Sequence, residues 1–221
     1  IQSLINHIEE IGDIRMLSIR EHRFPFLKKV DNWNRFNENT GGTLVEKCCH
    51  FFDLMNLIVP SKPVKVYASG GQDVNHLDEK YDGKTPDIID NSFVIIDYQD
   101  GQRAMLDLCM FAEAGKYEQE IVLTGDQGKL ETFIPGNELR LTNRKNYSLK
   151  TIVVKDDPRV KEVGFHHGAS YIEHLELIDC IENKKKTLVD CQKGLDSIIL
   201  GLAAQESIQT GNPVFLENFS N

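Results

Sequence analysis

From Asn91 to Val154 the chain alternates short β-prone runs with tight turn residues, and nothing else in it restricts the fold as much. NSFVIIDY and RAMLDLCMF flank QDGQ, where Asp100-Gly101 suits a hairpin turn. YEQEIVLTG and KLETFIP flank DQG in the same way, and NELRLTN and SLKTIVV supply two more strands. Runs this close in sequence pair antiparallel, because a parallel return needs a crossover of about a dozen residues. Two earlier patterns, Asp13–His22 and PVKVYAS, bring the count to about seven or eight strands. Gly70–Asp90 reads as a polar loop.

Helical patterns lie on either side of this block. Ile1, Leu4, Ile5, Ile8 and Ile11 form one, stopped by Gly12. Thr43–Val59 forms another, stopped by Pro60. SYIEHLELIDCIEN opens on a Ser170-x-x-Glu173 capping box. DCQKGLDSIILGLAAQESIQ carries apolar Leu195, Ile198, Ile199 and Leu202, with Gly211 at its end. The expected class is α+β: a large open, predominantly antiparallel sheet with helices packed on one face, residues 1–221 forming one domain. Phe93–Ile96 is apolar at every position, which predicts that both faces of that strand are covered. Helices would cover one face and another subunit the other, giving a homodimer or homotetramer.

Composition removes several functions. A chain of 221 residues, 40% hydrophobic, can bury a sizeable core. Its net charge of −9 argues against nucleic acid and anionic membrane as partners. The Lys184-Lys185-Lys186 cluster is too short to change that. No apolar run approaches the ~20 residues of a membrane helix. The five cysteines are odd in number, form no CxxC, and include the adjacent Cys48-Cys49. They read as free thiols in a reducing cytoplasm. The chain opens on Ile1, without Met or signal peptide and already inside a helical pattern, and reads as a piece of a longer one.

The chemistry concentrates in GGTLVEKCCHFFDLMNLI, Gly41–Ile58. At ~100° per residue, Glu46, His50, Asp53 and Leu57 fall within a ~60° arc of the Thr43–Val59 helix. Leu44, Cys48, Phe51 and Met55 lie opposite. A narrow polar line on a mostly apolar cylinder predicts a buried helix whose polar residues pair internally or face a cleft. Thr43-x-x-Glu46 fits a capping box, and His50 fits a hydrogen-bonded core histidine. Glu46 and His50 could share a metal ion, but a stable site needs at least three ligands and no motif links these two to His22, His166, His167 or His174. Cys48 faces the apolar side, away from any base that would activate it. An acid–base pair is the functional alternative: a carboxylate one turn from an imidazole can tune it to move a proton near neutral pH. The loop ahead of the helix adds Arg20, His22, Arg23, Trp33, Asn34 and Arg35, cations and a flat ring suited to a polyhydroxylated or anionic small molecule. Asp53 and His167 complete the candidate substrate-binding set.

These residues resemble the Gfo/Idh/MocA family of NAD(P)-dependent sugar and inositol oxidoreductases, in which a Gly-Gly turn precedes a carboxylate, then His, then Asp. IGDIRMLSIREHRFP is similar to the family's strand entering the second domain, LTGDQGKLETF to its Gly-x-x-Gly hairpin, and LDSIILGLAAQESIQTGNPV to its closing helix. The resemblance implies a C-terminal domain carrying the substrate site and the oligomer interface. It also implies a separate Rossmann domain that binds NAD or NADP and supplies a lysine from a Glu-Lys-Pro motif. Neither that motif nor a Rossmann glycine fingerprint occurs in this chain. By the same resemblance His50 is the catalytic histidine, and Glu46 stands where inositol dehydrogenase-like members carry aspartate. The function expected is oxidation of the CH–OH group of a sugar, sugar acid or inositol-like substrate, with this part inactive alone. A non-catalytic binding module, or a metal-dependent isomerase or hydrolase using Glu46 and His50, are the alternatives.

Overall fold

In a computed structural model, which describes residues 1–164 and 166–219, nine strands form a single sheet. In chain order they are β1 (Ile14–His22), β2 (Pro63–Gly71), β3 (Asn91–Tyr98), β4 (Arg103–Cys109), β5 (Gln119–Gly125), β6 (Gly128–Ile134), β7 (Glu138–Asn143), β8 (Ser148–Val153) and β9 (Val214–Phe215). Across the sheet they run β8-β7-β6-β5-β1-β4-β3-β2-β9. Both expected hairpins form, with Val94 opposite Leu106 and Leu123 opposite Leu130. β1 sits at the centre, antiparallel to β5 and parallel to β4. The long excursion through residues 23–102 supplies the crossover that this parallel pair requires.

One face of the sheet is the core. Leu17, Ile19, Val66, Ala68, Val94, Ile96, Leu106, Leu108, Ile121 and Leu123 point into it and are buried, as period-2 alternation dictates. Two helices, α4 (Cys49–Ile58) and α6 (Cys191–Thr210), pack together over this face, with α6 against β2. The other face is open. Of the strand Phe93–Ile96, Val94 and Ile96 face the core, while Phe93 and Ile95 on the open face are 59% and 42% exposed within the single chain. Met16, Tyr67 and Met105 are exposed with them.

The helical segments are more broken than their periodicity predicts. The opening one divides into α1 (Gln2–Ile5) and a 3-10 turn at Ile8–Ile11. Thr43–Val59, which follows the short α2 (Asn37–Thr40), divides into α3 (Thr43–Glu46) and α4. In α6 the residues against the core are small or short: Ser197, Gly201, Ala203, Ala204 and Ser207, with Leu200. A Cβ on Gly201 would lie 2.6 Å from the Leu44 carbonyl oxygen, so only glycine lets the helices approach this closely. Leu195, Ile198 and Leu202 are left exposed. Neither expected capping box forms. The N-cap of α3 is Gly42 and that of α5 (Ala169–Glu182) is Gly168, both without side-chain caps, while Asp190 caps α6 through the Lys193 N–H. Among the described residues no helix is long and apolar enough to cross a membrane.

Candidate functional site

The site helix begins at the Gly41-Gly42 turn, where both residues have positive φ (76° and 85°), a conformation that costs glycine nothing. Gln205 of α6 donates to the Gly41 carbonyl and Thr43 Oγ1 donates to Ile89 O at 2.6 Å, so the turn is fixed from two sides. Beyond it the helix buries Leu44, Cys48, Phe51, Phe52, Met55 and Ile58. The opposite line, Glu46, His50, Asp53 and Leu57, keeps contact with solvent, and His50 and Leu57 are exposed. The line is polar because it meets solvent, and His50 is not a core histidine.

Glu46 does not fold back onto its own N-cap. Its Oε1 accepts from Lys29 Nζ at 2.5 Å, and Lys29 Nζ stands 5.0 Å from the centroid of the Trp33 ring. The loop before the helix therefore does reach the polar line, through Lys29, a residue that sequence reasoning passed over. Asp53 is half-buried, and burial pushes its carboxyl up, with Lys193 and His50 pulling partly the other way. His50 and Asp53 thus feel one another across one turn of α4. Burial likewise pushes the Cys48 thiol up, leaving it an inert core residue.

The other candidates separate. Arg20 and His22 alternate with buried Ile19 and Glu21 along β1, so their side chains lie on the open face of the sheet, away from α4. There Arg20 Nη2 meets Glu120 Oε1 at 2.5 Å and His22 Nε2 meets Asp107 Oδ1 at 2.9 Å. Arg35 is buried and structural: Nε donates to Glu79 Oε2 at 2.9 Å and Nη1 to Phe26 O at 3.2 Å. Burial raises the Glu79 carboxyl, but hydrogen bonds from His76, Tyr81 and Arg35 outweigh it and hold it at about 2. His167, at φ 51° in the turn ahead of α5, is exposed and takes no part in the contacts around Glu46. Arg23 stays on the helix side, with Nη1 3.5 Å from Glu21 Oε1 and its guanidinium over Phe24. The same Glu21 oxygen takes Lys47 Nζ at 2.7 Å.

The arrangement offers an exposed imidazole with a neighbouring carboxylate, a Lys29–Glu46 pair beside a half-open indole, and, among the described residues, no dinucleotide site. A dinucleotide pyrophosphate needs a glycine-rich turn from a parallel strand into a helix. β1 and β4, the parallel pair among the described strands, run into loops instead. Among the described residues no three His, Cys, Asp or Glu side chains converge to hold a metal ion.

Comparison with known proteins agrees with this architecture. A model of an oxidoreductase family's C-terminal alpha/beta domain matches residues 5–216. YrbE of Bacillus subtilis (strain 168), an uncharacterized oxidoreductase, is 25% identical over 209 residues, which are 95% of this chain and 57% of YrbE. An oxidoreductase from Agrobacterium radiobacter, solved in complex with NAD+, L-tartaric acid and magnesium, superposes with a TM-score of 0.75 at 15% identity. That superposition covers 99% of this chain and 62% of the other. Aldose-aldose oxidoreductase from Caulobacter crescentus, complexed with glycerol, superposes at 0.73 with 14% identity, over 96% of this chain and 59% of its own. The chain thus spans a little under two thirds of the length of each of these proteins.

Proposed function

The chain belongs to the Gfo/Idh/MocA oxidoreductase family through that family's C-terminal alpha/beta domain, and from this premise we propose that it is the substrate-binding and oligomerisation domain of an NAD(P)-dependent dehydrogenase. Its substrate is a sugar, sugar acid or inositol-like polyol oxidised at a CH–OH group. One observation carries the reading: the polar line of an otherwise buried helix presents an exposed histidine with a carboxylate one turn away. Oxidation of a carbinol must release the hydroxyl proton, and an exposed imidazole is the side chain suited to take it near neutral pH. The nicotinamide, when bound, accepts the hydride. His50 takes the proton, Asp53 favours the imidazolium that results, and Glu46 with Lys29 lines the rim beside Trp33, whose face suits a sugar ring.

Because the described residues form no dinucleotide site, the cofactor is held by the part of the protein that would fill the remaining length of its relatives. α5 supports this: it has no buried residue and exposes Leu177, Ile178 and Ile181, as a helix does when its packing surface lies outside the chain. Choice of NAD is favoured by the NAD+ complex of the Agrobacterium relative. The test is NADH and NADPH formation by the full-length protein across sugars, sugar acids and inositols. We expect turnover on at least one polyol, and none from residues 1–221 alone. Absence of turnover across the panel would overturn the reading.

The open sheet face is assigned to a second copy of the chain. Ser18, Met105, Ile95 and Tyr67 stand side by side across β1, β4, β3 and β2 in the observed register, and the last three are exposed. A lysine at Ile95 would place a charge in the middle of that row at little cost to the core. Ile95→Lys is expected to convert the oligomer to monomers in sedimentation velocity. An unmodified chain that sediments as a monomer at high concentration would refute the assignment.

A further inference from the structure

The continuous helix that periodicity predicts over 43–59 does not fix the relation of Glu46 to His50, because the hydrogen-bond ladder breaks between them. Cys48 N reaches back to Thr43 O at 3.3 Å, one residue too far, and Phe51 N to Cys48 O at 2.9 Å, one residue too near. α3 and α4 are therefore two helical pieces joined at Lys47-Cys48. A contact from outside the helix can set their angle.

Lys47 carries the clamp. Its ammonium, 14% exposed, lies 2.7 Å from Oε1 of Glu21, which is fully buried. Glu21 occupies the inward phase of β1, where the preceding inward residues are Leu17 and Ile19. A carboxylate there replaces an aliphatic side chain, and its Oε2 has no hydrogen-bond partner. Buried pairs of this kind seldom raise stability above that of a packed apolar pair, because desolvation consumes the attraction. They do define geometry, since the charge on the strand admits one position for the charge on the junction.

We propose that Glu21 and Lys47 are positioning residues: a buried ion pair from the central strand to the break in the site helix, which sets Glu46 against His50. This rests on the functional reading above. The test pairs Glu21→Leu with Lys47→Met, which removes both charges of the pair and keeps side-chain volume similar; Arg23, 3.5 Å from the same oxygen and 23% exposed, is left to solvent. The double variant of this chain is expected to melt at or above the temperature of the unmodified chain. In the full-length protein its kcat falls about tenfold or more while KM stays within about threefold. Lys47→Arg, which keeps the pair, recovers most of that loss. Retention of kcat by the double variant overturns the proposal. So does a double variant that melts well below the unmodified chain, because the pair is then a stabilising link. If the unmodified full-length protein turns over no polyol, the functional reading fails, and the pair is judged in this chain by hydrogen exchange. The amides of Cys48 and Phe51, which bond across the junction, then exchange about tenfold faster in the double variant. An unchanged rate overturns the clamp.

Discussion

Replacing His50 by alanine in the full-length protein is expected to lower kcat on its polyol substrate by about 10²–10⁴-fold, the usual contribution of a general base. The thermal midpoint should hardly move. His50 is exposed and its side chain makes no hydrogen bond among the described residues, while its neighbours Phe51 and Phe52 carry the packing of α4. Surface substitutions away from caps and networks fall within about 0.5 kcal/mol. Stability and activity therefore separate cleanly at this position, which they would not at Cys48 or Phe52. His50→Gln sharpens the result. Glutamine keeps a hydrogen-bonding group near the substrate but cannot take a proton in this pH range, so its kcat should fall with alanine's while its KM stays nearer the unmodified value. Steady-state kinetics of both variants check this, and full turnover in either removes His50 from the chemistry.

The hairpins are legible because alternation and turn chemistry are local signals, and they form where Asp100-Gly101 and Asp126-Gln127-Gly128 stand; the central place of β1, parallel to β4, is a non-local pairing that no such signal carries. The polar line was legible too, since the period of 3.6 survives the break at Lys47. The break itself was not. Lys47 and Cys48 continue an unremarkable helical pattern, and the departure is set by packing and by a carboxylate that arrives from β1. The phase of β1 could have been read further than it was. With Leu17 and Ile19 inward, Glu21 must point in and Arg20 and His22 out, which moves two expected ligands to the open face and reveals the clamp.

In α6 the eye goes to the large residues, yet the packed face is Ser197, Gly201, Ala204 and Ser207, because close approach to α3 and β2 selects small side chains. Ser207 even supplies hydrogen bonds there, accepting from Ala68 N at 2.9 Å and donating to Asn212 O at 2.8 Å. The meeting of Lys29 with Glu46 lies beyond sequence reading altogether. It depends on the path of an aperiodic loop through positive-φ residues Asp31 and Asn32. That path is held from outside by Arg35 on Glu79 and Asn37 on Asp87.

Those anchors make Asp90 the position where one substitution should loosen the most structure. Asp90 is buried at the end of the 72–90 loop, and its carboxylate accepts the backbone N–H of Asn75 at 2.7 Å, of Val74 at 2.8 Å and of Asp73 at 3.1 Å. The Asn91 amide adds a fourth bond at 2.9 Å. Burial raises this carboxyl, but the four donors outweigh it and hold it below its ordinary value. Asp90→Ala leaves three backbone N–H groups without their acceptor, at an expected cost of about 3 kcal/mol. In a domain of this size that is a fall of about 6–12 °C in thermal midpoint. The pH dependence has a definite sign. A carboxyl with a lowered folded value contributes stability that is complete above its unfolded value of about 3.9 and is lost as pH falls through the folded one. The unmodified chain and Asp90→Ala should thus differ fully at pH 6, and the gap should narrow as pH falls below about 3.9. Asp90→Asn keeps one acceptor oxygen and should fall between the two, with no acid limb from this position. Thermal melts of the three proteins from pH 7 to pH 3 decide it, and a gap that stays constant across that range would show that the carboxylate is not what holds the loop.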